Sequence, residues 1–282
     1  NKTLNMDPVA LEFAITDRTS AIIPVHMLGV AAEQDEIHAI ARKHDIPILD
    51  DACESLGAEW GGDKLGAQSD ISAWSFDAGK TVIAGEGGMI TTNNKKLYLL
   101  AREYHDHGHM YDTSLPRGRD THRISGFNYR MTEIQAVIAK VQLKKLDYIV
   151  SKNRKNYSII ESELIKIKSL NFRKIPQKCN PLCDTLIIQF DNKNQANVFV
   201  KQLSDNGFQT KNVPDAIEWH FVKYWDHMLD FIQMDMPEFK EFLKQSSEII
   251  ERCVALPIMV KTPSSLLSKQ AKAIKHIIEG II

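Results

Sequence analysis

An apolar strand-like run, a helix-like segment and a second apolar run near the start of the chain constrain its fold most strongly. Residues 20–25 are apolar and β-branched, which is typical of a buried strand, although Pro24 disfavours the middle of a sheet. Residues 35–44 repeat apolar side chains at helical spacing, and residues 46–50 form the second apolar run. Two strands joined through a helix in this way run parallel. The pattern therefore predicts an α/β layer architecture.

Further strand signals continue through the first half of the chain, and a second α/β pattern follows them. Residues 71–76 and 88–92 are short apolar runs in the first half, and residues 185–190 are one in the second half. We therefore expect two domains, a large one over residues 1–147 and a smaller α/β domain over residues 148–282.

Two helices have recognisable start signals. Thr132 is followed three residues later by Gln135, the arrangement of a capping box. The apolar face of this helix consists of Ile134, Val137, Ile138 and Val141. Asn194 is a candidate N-cap for a second helix, which is predicted to end at Gly207.

Composition excludes several classes of protein. The 282 residues are 43% hydrophobic and 25% charged, the proportions of a globular chain rather than a disordered one. A formal net charge of −1 creates no overall field that would attract nucleic acid or an acidic membrane, so we expect neither as a partner. No apolar run approaches the roughly 18 residues of a membrane helix. Four cysteines are too few for a disulfide framework, so we expect reduced thiols and a cytoplasmic location.

Three histidines, His105, His107 and His109, alternate in a polar stretch that extends to Arg123. On a strand, alternate residues share one face, which would suit a metal ion. The glycine and aspartates around them are typical of a loop instead. We therefore expect loop histidines that contact substrate or solvent, and no metal site.

Carboxylates and a lysine follow two of the predicted strands. Asp50 and Asp51 close one strand, and Lys80 follows the next within a few residues. Ligands of α/β sheets bind at the carboxyl ends of strands. A desolvated lysine is an amine nucleophile for a carbonyl, and an aspartate can pair with the pyridine nitrogen of pyridoxal phosphate. Adjacent strand residues face opposite ways, so the spacing leaves open which aspartate faces the pocket, and a solvated lysine remains the alternative.

Four motifs in chain order resemble a known family. They read LDDACESLG over 49–57, SFDAGKT over 75–81, GEGGMITT over 85–92 and GFNYRMTEIQ over 126–135, and PVHMLG over 24–29 also fits. Together they resemble the DegT/DnrJ/EryC1/StrS sugar aminotransferases, closely over residues 7 to about 160 and loosely beyond. The resemblance implies the α/β fold of aspartate aminotransferase, with a large pyridoxal 5′-phosphate domain and a small C-terminal domain.

The resemblance also implies roles for residues of the first half. Lys80 would bind the cofactor covalently and later move a proton. Asp51 would pair with the pyridine nitrogen, which favours the second carboxylate of the pair. Glu54 would lie beside the ring, and Ser75 would bind the cofactor phosphate.

Other residues would bind substrate or a second subunit. Asn128 would reach the phosphate of the neighbouring subunit's cofactor, which implies a homodimer. Tyr129 and Arg130 flank Asn128, and His220 resembles a C-terminal substrate-pocket histidine. Three arginines of the polar stretch could pair with a carboxylate or a pyrophosphate, or remain solvated: Arg117, Arg119 and Arg123.

The implied reaction moves an amino group from an amino-acid donor, glutamate, to a keto sugar that is nucleotide-linked, in amino-sugar or surface-polysaccharide biosynthesis. Lys80 argues against the branch of the family that has histidine there and dehydrates its sugar. Complete members carry a long segment before the first motif seen here. The sequence is therefore expected either to be a fragment of a working aminotransferase or to be a truncated, catalytically silent protein with at most a binding or structural role.

Overall fold

A computed structural model describes residues 2–228 and 241–282 of the chain. Its strands are β1 Leu49–Asp51, β2 Glu59–Trp60, β3 Asp63–Lys64, β4 Ile71–Ser75, β5 Gly88–Thr91, β6 Asn171–Phe172, β7 Cys179–Asn180, β8 Thr185–Gln189 and β9 Cys253–Pro257. Its α-helices are α1 Pro8–Ala14, α2 Gln34–His44, α3 Lys95–Tyr104, α4 Glu133–Leu143, α5 Leu146–Leu164, α6 Lys193–Asp205, α7 Ile217–His220, α8 Lys244–Ile250 and α9 Ser264–Glu279. Among the described helices, none has the length and apolar composition needed to cross a membrane.

The chain divides into two compact units. The first, called here the sheet unit, comprises Asn5–Tyr148 and Pro176–Leu182. The second comprises Asn1–Leu4, Ile149–Ile175 and Cys183–Ile282.

The sheet unit is built on a sheet of order β1-β4-β5. Strands β1 and β4 are parallel, with Asp51 opposite Ala73, and β5 is antiparallel to β4. The predicted strand over 20–25 is reduced to two isolated parallel bridges, of Ile22 with Ile48 and of Val25 with Asp51. Between them Pro24 has no N–H to donate, yet its carbonyl accepts the Asp51 N–H at 3.0 Å. The segment thus lies along β1 without forming a continuous ladder.

Helix α2 is held against this sheet by its apolar face. Its buried residues Ile37 and Ala41 pack with Ile22, Ala32 and Ile48, which are all at most 3% exposed. The predicted helix therefore packs on the 20–25 segment and on the residue before β1, although that segment forms isolated bridges instead of the predicted strand.

Helix α4 begins where the sequence predicted it. The Thr132 hydroxyl accepts from the Gln135 N–H, and the Gln135 side chain accepts from the Thr132 N–H, which completes the capping box. The predicted apolar face is exposed: Ile134 75%, Val137 60%, Val141 48% and Ile138 41%. The core contact of this helix is instead Ala139, which packs with Phe76 and Val82.

The second unit packs helices on an antiparallel sheet of order β6-β8-β9. All five residues of β8 are buried. Helices α5, α6 and α9 contribute core residues that include Leu164, Phe199 and Ile278. The N-cap of α6 is Asn192, whose side chain accepts the Gln195 N–H at 3.0 Å, so the prediction of Asn194 was two residues late.

Candidate active site

The carboxyl ends of β1 and β4 place two polar segments side by side in the sheet unit. Asp51 ends β1 and Ser75 ends β4, and the two strands are parallel neighbours. Each strand is followed by a turn that carries polar side chains, with Glu54 after β1 and Lys80 after β4. Parallel strands deliver such residues to one edge of the sheet, where ligands of α/β proteins bind.

Lys80 and Glu54 meet at this edge. The Lys80 Nζ lies 3.3 Å from the Glu54 Oε1, and the two side chains are 21% and 13% exposed. The other oxygen, Oε2, accepts the backbone N–H of Leu28 at 3.0 Å. Leu28 adopts left-handed backbone angles (φ 49°, ψ 49°), which direct its amide towards the carboxylate. Glu54 is therefore held on both oxygens.

A tight turn between β4 and Lys80 sets the position of the lysine. The Ser75 Oγ accepts the Asp77 N–H at 3.2 Å, and the Asp77 carboxylate accepts the Gly79 N–H at 2.8 Å. The Lys80 N–H then donates to the Asp77 carbonyl at 3.0 Å. Because the Ser75 Oγ is an acceptor here, its own O–H can donate to another group.

The two adjacent aspartates of β1 have opposite environments. Asp50 is fully buried, 3.2 Å from the His26 Nε2, and its other oxygen accepts the Ser69 O–H at 2.6 Å. Asp51 is half-buried, and its Oδ1 accepts the Cys53 N–H at 3.1 Å. The fold thus assigns Asp50 to the interior and leaves Asp51 on the side of the turn that carries Glu54.

The Cys53 thiol lies in the same electrostatic environment as Asp51, Glu54 and Lys80. Burial, the hydrogen bond with Asp51 and the negative charges of Asp51 and Glu54 raise the Cys53 pKa to about 12, against an opposing effect of Lys80. Asp51, Glu54 and Lys80 form one cluster, called here the lysine cluster.

His26 is a contributor to this site that the sequence did not single out. Its backbone N–H donates to the Asp51 carbonyl at 3.0 Å, and its carbonyl accepts the Ser55 O–H. Its ring Nδ1 accepts the Ala32 N–H at 3.1 Å, so a neutral ring carries its proton on Nε2, the atom that faces Asp50. The PVHMLG motif was the available signal, since it spans His26 and Leu28.

Asn128 and Arg130 belong to a second cluster, around Asp106. Asn128 forms an antiparallel bridge with Asp106, and the Arg130 Nε donates to the Asn128 Oδ1 at 3.0 Å. The same Nε lies 3.4 Å from the Asp106 carboxylate. The Tyr111 hydroxyl, which donates to Asp106 at 2.6 Å, is the main cause that lowers the pKa of this carboxyl to about 2.

Tyr129 is 65% exposed and lines a groove of about 880 Å³ in the sheet unit. Its ring stacks on Phe127 with centroids 5.4 Å apart. The groove also contains Trp74, Ile90 and Tyr98. Its lining is largely apolar.

The remaining predicted residues lie elsewhere in the chain. His220 is the last residue of α7 in the second unit and is exposed. Arg123 pairs through its Nε and Nη2 with both oxygens of the buried Glu103, at 3.1 and 2.8 Å, so its guanidinium already has an internal partner. Arg119 is exposed.

The chemistry of the lysine cluster fits pyridoxal 5′-phosphate. A primary amine on Lys80 suits the aldehyde of the cofactor, a second carboxylate on Asp51 suits a protonated pyridine nitrogen, and the hydroxyl of Ser75 can donate to a phosphate oxygen. The Lys80 side chain is 21% exposed, so it is not sealed off from solvent.

Comparisons with known proteins agree with this interpretation. The model of the DegT/DnrJ/EryC1/StrS aminotransferase family matches residues 1–275. GDP-perosamine synthase of Caulobacter vibrioides is 38% identical over 166 residues, which cover 59% of this chain and 43% of that protein. Spore coat polysaccharide biosynthesis protein SpsC of Bacillus subtilis is 25% identical over 99% of this chain and 72% of its own length.

A solved structure shows the same fold. The aminotransferase from Psychrobacter cryohalolentis superposes with a TM-score of 0.85 at 24% identity, covering 100% of this chain and 74% of that one. The expected fold class, an aspartate aminotransferase-like α/β architecture, is confirmed. The chain spans less than half the length of the Caulobacter relative and about three quarters of the Psychrobacter structure.

Proposed function

The chain belongs to the DegT/DnrJ/EryC1/StrS aminotransferase family, and we propose that it transfers an amino group from an amino acid to a keto sugar with pyridoxal 5′-phosphate as cofactor. The observation that carries the proposal is the Lys80 Nζ, 3.3 Å from the Glu54 Oε1 in a partly buried position. Glutamate is the proposed donor and a nucleotide-linked keto sugar the proposed acceptor, in amino-sugar or surface-polysaccharide biosynthesis.

Each residue of the lysine cluster has a definite task in this proposal. When bound, pyridoxal phosphate supplies an aldehyde for a covalent bond with an amine and a ring that accepts electron density. Lys80 provides that amine and moves the substrate α-proton on its Nζ. Glu54 orients the Nζ and balances the positive charge of its ammonium form. Asp51 keeps a proton on the pyridine nitrogen, and Ser75 donates to the phosphate.

Substrate binding and assembly are also part of the proposal. The protein forms a homodimer in which Asn128 reaches the cofactor phosphate of the partner subunit. Tyr129, Arg130 and His220 contact substrate. Exposure of Asn128, Tyr129 and Arg130 supports this assignment, because residues that serve a neighbouring site must lie at the surface.

Residues 1–147 would be the cofactor domain and residues 148–282 the small domain. A cytoplasmic location is supported by four free cysteines.

The first experiment adds pyridoxal phosphate to the purified chain, records the visible spectrum, reduces with borohydride and maps the modified peptide. We expect a yellow adduct that reduction traps on Lys80. Lys64 is the matched control: it is an exposed lysine with its own carboxylate partner, Glu59, at 2.8 Å. A K64A variant should still be labelled on Lys80, and a K80A variant should lose the specific label.

A second experiment identifies the donor. Glutamate added to the loaded protein without an acceptor should yield one 2-oxoglutarate per cofactor and no more, since the first half-reaction consumes the cofactor aldehyde. If no adduct forms on Lys80 under any condition, the chain would be the catalytically silent alternative. The names of the relatives, a synthase and a biosynthesis protein, give that alternative no support.

A further inference from the structure

Histidine and aspartate side chains converge in the segment between α3 and α4 of the sheet unit, and the proposed function uses none of the histidines of this segment. Asp106, His107 and His109 each offer one ligand atom, and these atoms all lie within 4.8 Å of one another. We propose that these three residues bind a divalent transition-metal ion. The proposal does not depend on the cofactor chemistry of Lys80.

A rigid turn brings the two histidines to the same side. His107 has φ 59° and Gly108 φ 85°, so the backbone reverses instead of continuing as a strand. The His107 N–H donates to the Phe127 carbonyl at 2.9 Å and the Gly108 N–H to the Glu103 carbonyl at 2.8 Å. The ring centroids of His107 and His109 are consequently 6.0 Å apart.

Gly108 shows how closely this turn is packed. A Cβ at this position would lie 1.9 Å from the Ile124 carbonyl oxygen. Only glycine therefore permits the turn, and the turn determines the relative position of the backbone at His107 and His109.

Asp106 provides a fixed anionic ligand. It is 3% exposed, one of its oxygens accepts from the Tyr111 hydroxyl at 2.6 Å, and the other lies 2.9 Å from the His107 Nδ1. A carboxylate oxygen that accepts a hydrogen bond can also bind a metal ion. When the His107 ring carries its proton on Nε2, its Nδ1 lone pair lies beside the Asp106 Oδ1, so both atoms can bind one ion.

His109 supplies the second, independent observation. Its Nδ1 is buried and has no hydrogen-bond partner within the described residues, and the nearest carboxylate, the Asp120 Oδ2, is 3.7 Å away. A buried ring nitrogen without a hydrogen bond is destabilising unless a ligand satisfies it. The ring borders a cavity of about 240 Å³ that is also lined by Asp106, Tyr111 and Asp120. There is room for an ion and its water ligands beside the unsatisfied nitrogen.

The ligand set selects the class of ion. Two imidazoles and one carboxylate suit Zn²⁺, Co²⁺ or Ni²⁺, and three protein ligands leave a position open to an oxygen ligand. The Arg130 Nε, 3.4 Å from the Asp106 Oδ1, competes with the ion for that carboxylate. We therefore expect weaker binding than at a closed structural zinc site.

The test uses the full chain, stripped with a chelator and titrated with CoCl₂ and ZnCl₂ by calorimetry and by the visible absorption of Co²⁺. We expect one ion per chain, with affinity reduced about tenfold or more in H107A and in H109A. H105A is the matched control, because the His105 ring contacts the Arg102 carbonyl and is not one of the ligands. H107Q and H109Q preserve side-chain volume and replace the alanine variants if those fail to fold.

Two results would overturn the proposal. One is the absence of stoichiometric binding to the folded wild-type chain. The other is binding that H107A, H109A and H105A weaken equally, which would place the ion elsewhere or make the effect a general one. Neither result bears on the labelling of Lys80, so the two proposals fail separately.

Discussion

The Glu54 carboxylate joins Lys80 to the backbone of Leu28: its Oε1 lies 3.3 Å from the Lys80 Nζ, and its Oε2 accepts the Leu28 N–H at 3.0 Å. The lysine is thereby positioned by a group that is itself immobilised. The Lys80 side chain is only 21% exposed and its counter-ion is fixed, so its ammonium group has little freedom to move into solvent. This preorganisation is what a covalent site on Lys80 requires.

Replacing Lys80 by alanine should abolish transamination, because no other amine occupies that position in the lysine cluster. The measurement is turnover with glutamate and a panel of nucleotide-linked keto sugars, beside the K64A control. Thermal unfolding should show that K80A remains folded. If folded K80A still turned over substrate at the wild-type rate, the assignment of Lys80 would be contradicted.

Substitution of the two adjacent aspartates should separate stability from activity. Asp50→Asn removes the charge that faces His26 in a fully buried pair, and we expect a loss of about 3 kcal/mol in the free energy of unfolding. Asp51→Asn should leave stability within about 1 kcal/mol of wild type and eliminate most turnover. Urea unfolding and steady-state assays measure the two effects. The reverse pattern would show that the wrong aspartate has been assigned to the cofactor.

Cys53 should make the chain less stable at alkaline pH. Its folded-state pKa is raised to about 12, whereas the pKa of an unfolded cysteine is about 8.5. The unfolded chain therefore releases a proton that the folded chain retains. Stability should fall above about pH 8.5, by at most about 1.4 kcal/mol per pH unit from this group.

The measurement for Cys53 is the urea midpoint at a neutral and an alkaline pH. C53A and C53S have no side chain that ionises in this range. Between the neutral and the alkaline pH they should therefore lose less stability than the wild-type chain does. Iodoacetamide should also modify Cys53 slowly in the folded chain and rapidly in urea. Equal rates in both states would refute a neutral, protected thiol.

Gly108→Ala should be strongly destabilising, because the new Cβ would lie 1.9 Å from the Ile124 carbonyl oxygen in a residue with φ 85°. Gly61 is a matched control, with φ 60° and no atom within 4 Å of an added Cβ. Gly61→Ala should therefore lower the free energy of unfolding by only about 1 kcal/mol, the cost of a left-handed backbone at alanine, and Gly108→Ala should lower it clearly more. Differential scanning calorimetry compares them, and similar losses would mean that the turn relaxes without difficulty.

Local features of this chain were predictable from the sequence. The Thr132–Gln135 capping box spans three residues, and its hydrogen bonds need nothing from elsewhere in the fold. The N-cap of α6 was misplaced from Asn192 to Asn194, because both are asparagines and the choice depends on where the chain leaves β8. Strand spacing left the aspartate pair open and only the family resemblance favoured Asp51, because His26 and Ser69, which bury Asp50, are distant in sequence.

The sequence by itself determined the family and the α/β class, and it singled out Lys80 as the candidate reactive lysine, because motif order and hydrophobic periodicity are properties of the chain. Tertiary structure decided which aspartate is buried, what orients Glu54, and that His107 and His109 share one side of a turn rather than one face of a strand. These outcomes depend on contacts with Leu28 and Ile124, which are far along the chain from the groups they position. Folding brings such partners together, and only then do burial and hydrogen bonding select one arrangement.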